Sequence, residues 1–232
     1  MDTNNSTTIR IGAYTAITGA VTMLIGAALW GASGADLDQA LANGELSNYL
    51  TAAGEASQLL VANLTLWIMG VFILGIAGTA MANLCVRRSA IAQVAKFSFA
   101  TSVPLVIAAY VAWLAVVVQI APQTTQSAVL LAEVVGWFAS RADWVATILI
   151  IGIGPTLISL AGRGDWVPTW LARWSIVTAI AGLLTAVAML TGGSGLSTYG
   201  FLIIPAGVGW MLAAGIVLLR RIGTTQANGN AA

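Results

Sequence analysis

LLVANLTLWIMGVFILGIAGTAMANL, residues 59–84, is a run of 26 residues without Asp, Glu, Lys or Arg, and it ends at Cys85-Val86-Arg87-Arg88. At a rise of about 1.5 Å per residue, an α-helix needs about 20 apolar residues to cross a hydrocarbon core of about 30 Å. The run meets that length with residues to spare. In lipid the backbone must satisfy its own hydrogen bonds, which makes such a run a helix.

Outward from this stretch lie five more without an ionisable acid or base, near residues 11–30, 97–120, 144–161, 174–190 and 200–219. Composition points the same way: 59% of the chain is hydrophobic, 7% is charged and the mean hydropathy is +0.91. A water-soluble domain carries about a quarter charged residues, so this chain lacks the means to build a soluble surface. The fold class that follows is all-α, a polytopic transmembrane bundle of about six spans. Residues 9–222 form the helical domain, with polar, disordered tails at 1–8 and 223–232.

Alternating spans sort the basic residues. Arg10, Arg87, Arg88, Lys96, Arg163, Arg173, Arg220 and Arg221 fall on one side, and Arg141 alone falls on the other. Positively charged loops stay in the cytoplasm, which predicts cytoplasmic N and C termini and a multi-pass protein of the bacterial cytoplasmic membrane. Tryptophans at the span ends, such as Trp30, Trp144, Trp170 and Trp174, suit the headgroup layer.

Two outer segments are longer than a connection requires. Residues 35–57 read as two short helices, the first stopped at Asn43-Gly44 and the second at Gly54, because these residue types tolerate the left-handed cap. Their leucines and Tyr49 would rest on the bundle, and Asp36, Asp38, Glu45 and Glu55 would face water. The second segment holds an amphipathic helix near 127–138; whether residues 122–143 re-enter the membrane stays open.

The chemistry available is narrow. The chain has no histidine and one cysteine, Cys85. That removes the usual metal ligand, haem ligand and neutral-pH base, and the thiol count needed for a zinc or iron–sulfur site. Gly162-Arg163-Gly164-Asp165 lacks the Lys-Ser/Thr of a phosphate-binding loop. Cys85 stands beside two arginines that can lower a thiol pKa, or is a small apolar residue. With no ionisable residue inside the six stretches, a pump or proton relay is not expected. The chain reads as a non-enzyme without cofactor or metal, and its net charge of +1 provides no basic face for nucleic acid.

Packing remains. Gly12-Ala16-Ala20, Gly75-Thr79-Asn83, Thr178-Gly182-Ala186 and Pro205-Gly209-Ala213 each place compact residues four apart on one helix face. Such stripes let helices approach closely, within the bundle, in self-association or against another membrane protein. The function expected is an accessory or scaffold component that binds lipids or other membrane proteins. The alternative is a carrier or binder of an uncharged or apolar small molecule. For that alternative a site is expected at mid-membrane beside the fourth helix. Pro155 has no N–H, which frees the carbonyl of Ile151, and Gly152 and Gly154 leave the backbone bare. Thr156, Tyr110, Thr18 and Thr22 would supply hydroxyls, unless these groups satisfy one another in a solid bundle.

Arg10-x-Gly12 opening the first helix, a helical outer loop before the second, and Pro168-x-Trp170-Leu171-x-Arg173 entering the fifth complete the pattern. It resembles small, uncharacterised bacterial six-helix membrane proteins classed as domains of unknown function. The resemblance implies the architecture and no catalytic residues.

Overall fold

The computed structural model describes residues 3–123, 125–191 and 195–229. These form α1 (Thr3–Ser33), α2 (Leu37–Asn43), α3 (Leu46–Glu55), α4 (Ser57–Asn83) and α5 (Ser89–Ala115), the last extended by a π-helical turn at Val116–Ile120. Then follow α6 (Gln126–Thr147), a π-helical stretch Ile148–Ile153, α7 (Gly154–Gly162), α8 (Thr169–Leu190) and α9 (Leu196–Gly229). Among the described residues six stretches are long and apolar enough to cross a bilayer: Ser6–Ser33, Ser57–Asn83, Ser89–Ile120, Gln126–Gly162, Thr169–Leu190 and Thr198–Ile222. The chain is a multi-pass integral membrane protein with an all-α fold.

Glycines fix how the spans pair. A Cβ on Gly26 would collide with Trp67, one on Gly19 with Leu74, and Gly12 lies against Ala80. The numbers fall on α1 as they rise on α4, so the two run antiparallel. The same reading pairs Gly75 with Val103, and Gly215 with Ala13 and Ile17, across α4–α5 and α1–α9. Each span packs on its neighbour in sequence, and α9 returns to α1, closing a ring. Both ends of the chain therefore lie at one end of the bundle, here the termini end. The α2–α3 segment lies at the other, the far end.

The fourth span is the core of the ring. Two thirds of its apolar window is buried (67%), against 33–44% in the other five. Its helix reaches beyond the expected span at 144–161: it runs from Gln126 to Gly162, through a π-helical stretch, and takes in the amphipathic segment expected at 127–138. Arg141 and Asp143 therefore lie on the helix that continues this span, not in a connecting loop. The charges suggested a loop, but a helix holds them once neighbouring side chains satisfy them. At 1.5 Å per residue this helix is about 55 Å long, beyond a core of about 30 Å, so it projects at the far end. There α2 and α3 pack against it.

Gly44 takes φ 72 and ends α2 in the left-handed conformation. Gly54 lies inside α3, which stops at Glu55, so it is not the cap that was expected. The polar tails also differ: α1 begins at Thr3 and α9 continues to Gly229, since extending a packed helix costs far less than starting one. Residues 1–2 and 230–232 of those tails lie outside the described residues.

Candidate functional site

Two places among the described residues stand out from the close apolar packing. The first is a buried polar network at the far end. Asp38 follows Asp36, whose carboxylate caps α2 by accepting from the Gln39 N–H at 3.0 Å. About half a turn of helix carries Asp38 to the side facing the bundle, where it is 7% exposed; the expectation that it faces water is overturned. Its carboxylate accepts the Ser140 hydroxyl and, at 2.8 Å, the Trp144 indole N–H. Arg141 donates to the Ser140 oxygen at 3.0 Å and lies over the Trp137 ring at 5.5 Å. Burial pushes the Asp38 carboxyl up from its ordinary range, while Ser140 and Trp144 pull it back.

A second carboxyl stands beside the first. Asp143, also buried, accepts from the Thr147 hydroxyl at 3.2 Å and shares a hydrogen bond with Tyr110 of α5. From Tyr110 an aromatic row leads across the bundle: Tyr110 to Trp67 at 5.4 Å between ring centroids, then Trp67 to Trp30 at 6.2 Å. Tyr49 of α3 accepts from Trp113 of α5 at 2.7 Å, and burial pushes its hydroxyl pKa well up. Around the two carboxylates this arrangement is closed, while the buried Trp30 indole N–H at the end of the aromatic row has no hydrogen-bond partner. The donors of Ser140, Trp144, Thr147 and Tyr110 each end on a carboxylate of the network. Its evident work is to fasten α2 and α3 to the core.

A signal for this network was present in the sequence. Ser140, Asp143, Trp144 and Thr147 recur at helical spacing, three, four and seven residues on, and so share one face. The partner Asp38 carries no such signal, because only the fold brings α2 to α6.

The ligand site expected near Pro155 is not assembled. Backbone carbonyls that the π-helical stretch frees are taken by neighbours: Leu149 by the Ser98 hydroxyl at 2.9 Å and Gly152 by the Thr178 hydroxyl at 3.0 Å. The Ile151 carbonyl lies against Gly207 of α9. A Cβ on Gly152 would stand 3.1 Å from the Cα of Gly182, and one on Gly154 would stand 2.9 Å from Phe99. Pro155 is buried, and Thr156 donates to the Ser175 carbonyl at 2.7 Å. Thr18 is exposed on α1 and Thr22 half-buried. Tyr110 is buried but pairs with Asp143, which precedes Pro155 by twelve residues, about 18 Å along the same helix. The helices close over this backbone because glycines on both sides let them. Cys85 is likewise buried, and burial pushes its thiol pKa up, which counts against a reactive role.

The second place is a groove of about 480 Å³ on the side of the bundle, at the termini end. The floor is α4, from Phe72 through Gly75 and Thr79 to Asn83. Thr8 and Ile11 of α1 form one wall; Ala100, Val103 and Pro104 of α5 form the other. Of the four compact stripes, Gly12-Ala16-Ala20 is wholly buried, and Thr178 and Gly182 are buried where α8 meets the fourth span. On the Pro205-Gly209-Ala213 stripe Pro205 is exposed, while Gly209 lies under Trp174 and is, like Ala213, half-buried. On the Gly75-Thr79-Asn83 stripe, only Gly75 is covered, while Thr79 and Asn83 stand exposed. No protein-family model, no curated protein and no solved structure matches this chain.

Proposed function

We propose that the chain is a non-enzymatic accessory component of the bacterial cytoplasmic membrane that holds a lipid tail in the α1–α4–α5 groove. The single observation that carries this reading is the shape of that groove. Its floor runs from Asn83, the last residue of α4, to Phe72. Eleven residues at 1.5 Å each make about 16 Å, close to half of a hydrocarbon core of about 30 Å. The groove thus starts where a headgroup sits and ends where a tail from one leaflet ends. Apolar area predominates in its lining, and its volume of about 480 Å³ lies within the usual range for ligand sites, about 300–1,000 Å³. A helix from another membrane protein is the rival occupant, since small residues also suit helix contacts.

Orientation belongs to the same proposal. Arg10, Arg87, Arg88, Lys96, Arg163, Arg173, Arg220 and Arg221 all belong to the termini end, so that end is cytoplasmic. The groove then opens to the inner leaflet.

The test uses Ala100, which is exposed and lines the groove. Full-length protein is purified in mild detergent and its retained lipids are counted by native mass spectrometry. Ala100→Trp should fill the groove and weaken tail retention about ten-fold, equivalent to about 1.4 kcal/mol. Unchanged retention, or a co-purifying protein chain lost in Ala100→Trp, would reject a lipid tail as the occupant.

A further inference from the structure

Resting on the tail-binding reading, we infer that the groove selects an anionic phospholipid, with Lys96 taking the headgroup phosphate. On α5, Lys96 precedes Phe99, Ala100 and Val103 by three, four and seven residues. That spacing puts it on the same helix face, one turn nearer the termini end. Its stem is half-buried, and its charge reaches as far as the Cys85 thiol in the turn after α4. Lys96 therefore stands at the mouth of the groove, where the floor ends at Asn83.

Neighbouring cations at this end of α4 and α5 are committed elsewhere. Arg87 pairs with Asp165 at 3.2 Å, and Arg88 donates to the Leu160 carbonyl at 2.9 Å. Lys96 has no ion pair or hydrogen bond among the described residues. An apolar channel one leaflet deep, ending at an uncommitted ammonium and the exposed amide of Asn83, matches a lipid in both parts. The tail takes the channel. The phosphate takes the ammonium as a point charge, with the Asn83 amide able to donate beside it. Phosphatidylcholine places its own choline cation near the same ammonium, whereas phosphatidylglycerol does not.

The experiment adds phosphatidylglycerol or phosphatidylcholine with identical acyl chains to delipidated full-length protein, and native mass spectrometry counts bound copies. Phosphatidylglycerol should bind about five-fold more tightly, the worth of one basic side chain at a membrane surface. Lys96→Gln should equalise the two lipids without abolishing binding, Lys96→Arg should restore the preference, and Ala100→Trp should weaken both. Equal binding to the wild type would overturn the headgroup inference and leave the tail reading standing. Preference that persists in Lys96→Gln would remove Lys96 from the role. Failure of both lipids to bind would overturn the tail reading itself.

Discussion

The two ends of the bundle handle polar groups in opposite ways. At the far end two carboxylates are buried, yet donors from α5 and α6 meet them and the network closes on itself. At the termini end the charges lie at the surface, some of them paired as Arg87 is with Asp165, while Asn83 and Lys96 line or flank an apolar groove, with Asn83 exposed and Lys96 uncommitted. The difference separates structure from recognition. A buried polar group that finds its partners rigidifies a fold. An apolar groove flanked by an uncommitted cation is what the proposed lipid site rests on.

The comparison breaks at once if the two ends do not face opposite sides of the membrane. Cysteines are introduced into a Cys85→Ser background and treated on intact cells with an impermeant thiol reagent. Positions near Leu46 and Thr125 should label, and positions near Ser89 and Thr224 should not; the reverse pattern inverts the topology.

Next in size is the far-end network. Asp38→Ala orphans the donors of Ser140 and Trp144, at about 1–3 kcal/mol for each buried group left unpaired. Thermal unfolding in detergent should fall accordingly, and amide exchange should quicken in α2 and α3. Unaltered stability would show that the network fastens nothing.

A comparable loss is expected in the core and none in the groove. Gly152→Val drives a side chain into Gly182, where overpacking costs about 1–3 kcal/mol. Ala100→Trp projects from an exposed wall and should change stability by no more than about 0.5 kcal/mol. If both variants unfold alike, the groove is part of the packed core and its reading as a binding surface fails.

The smallest effect is on pH dependence. Asp38 holds its proton more tightly in the fold than in the unfolded chain, because burial raises its pKa; Arg141 pulls it down, and neighbouring Asp36 pushes it up. Its contribution to stability is therefore greatest below the ordinary aspartate value of about 3.9 and declines as pH rises towards the raised value. The difference in unfolding temperature between wild type and Asp38→Asn should change across that window and be flat above it. A difference that stays constant from acid to neutral pH would mean that Asp38 titrates normally.

Much of this architecture can be read from hydropathy and charge. Six long apolar runs and the sorting of arginines need only a local window, and so does the stop at Gly44. The continuation of the fourth helix to Gln126 is not legible, because Arg141 and Asp143 look like loop residues until their partners are known, and Asp38 comes from 102 positions away from Ser140. The site expected at Pro155 failed for a related reason. Gly152 exposes backbone in sequence, but Gly182 on another helix covers it in space. The groove was hidden because four similar stripes look alike in the chain. Only the order of the helices decides which stripe borders a groove.

The most direct test of lipid binding in the groove is mapping of contacts with a phospholipid carrying a photoreactive group in its tail. Many apolar side chains face lipid, including Ile180, Leu183 and Val187 on α8. A tail held in the groove should crosslink chiefly to the α4 and α5 residues Phe72–Asn83 and Phe99–Pro104, and Ala100→Trp should abolish that enrichment. Crosslinks spread evenly over α8 and the groove, unchanged in Ala100→Trp, would contradict it.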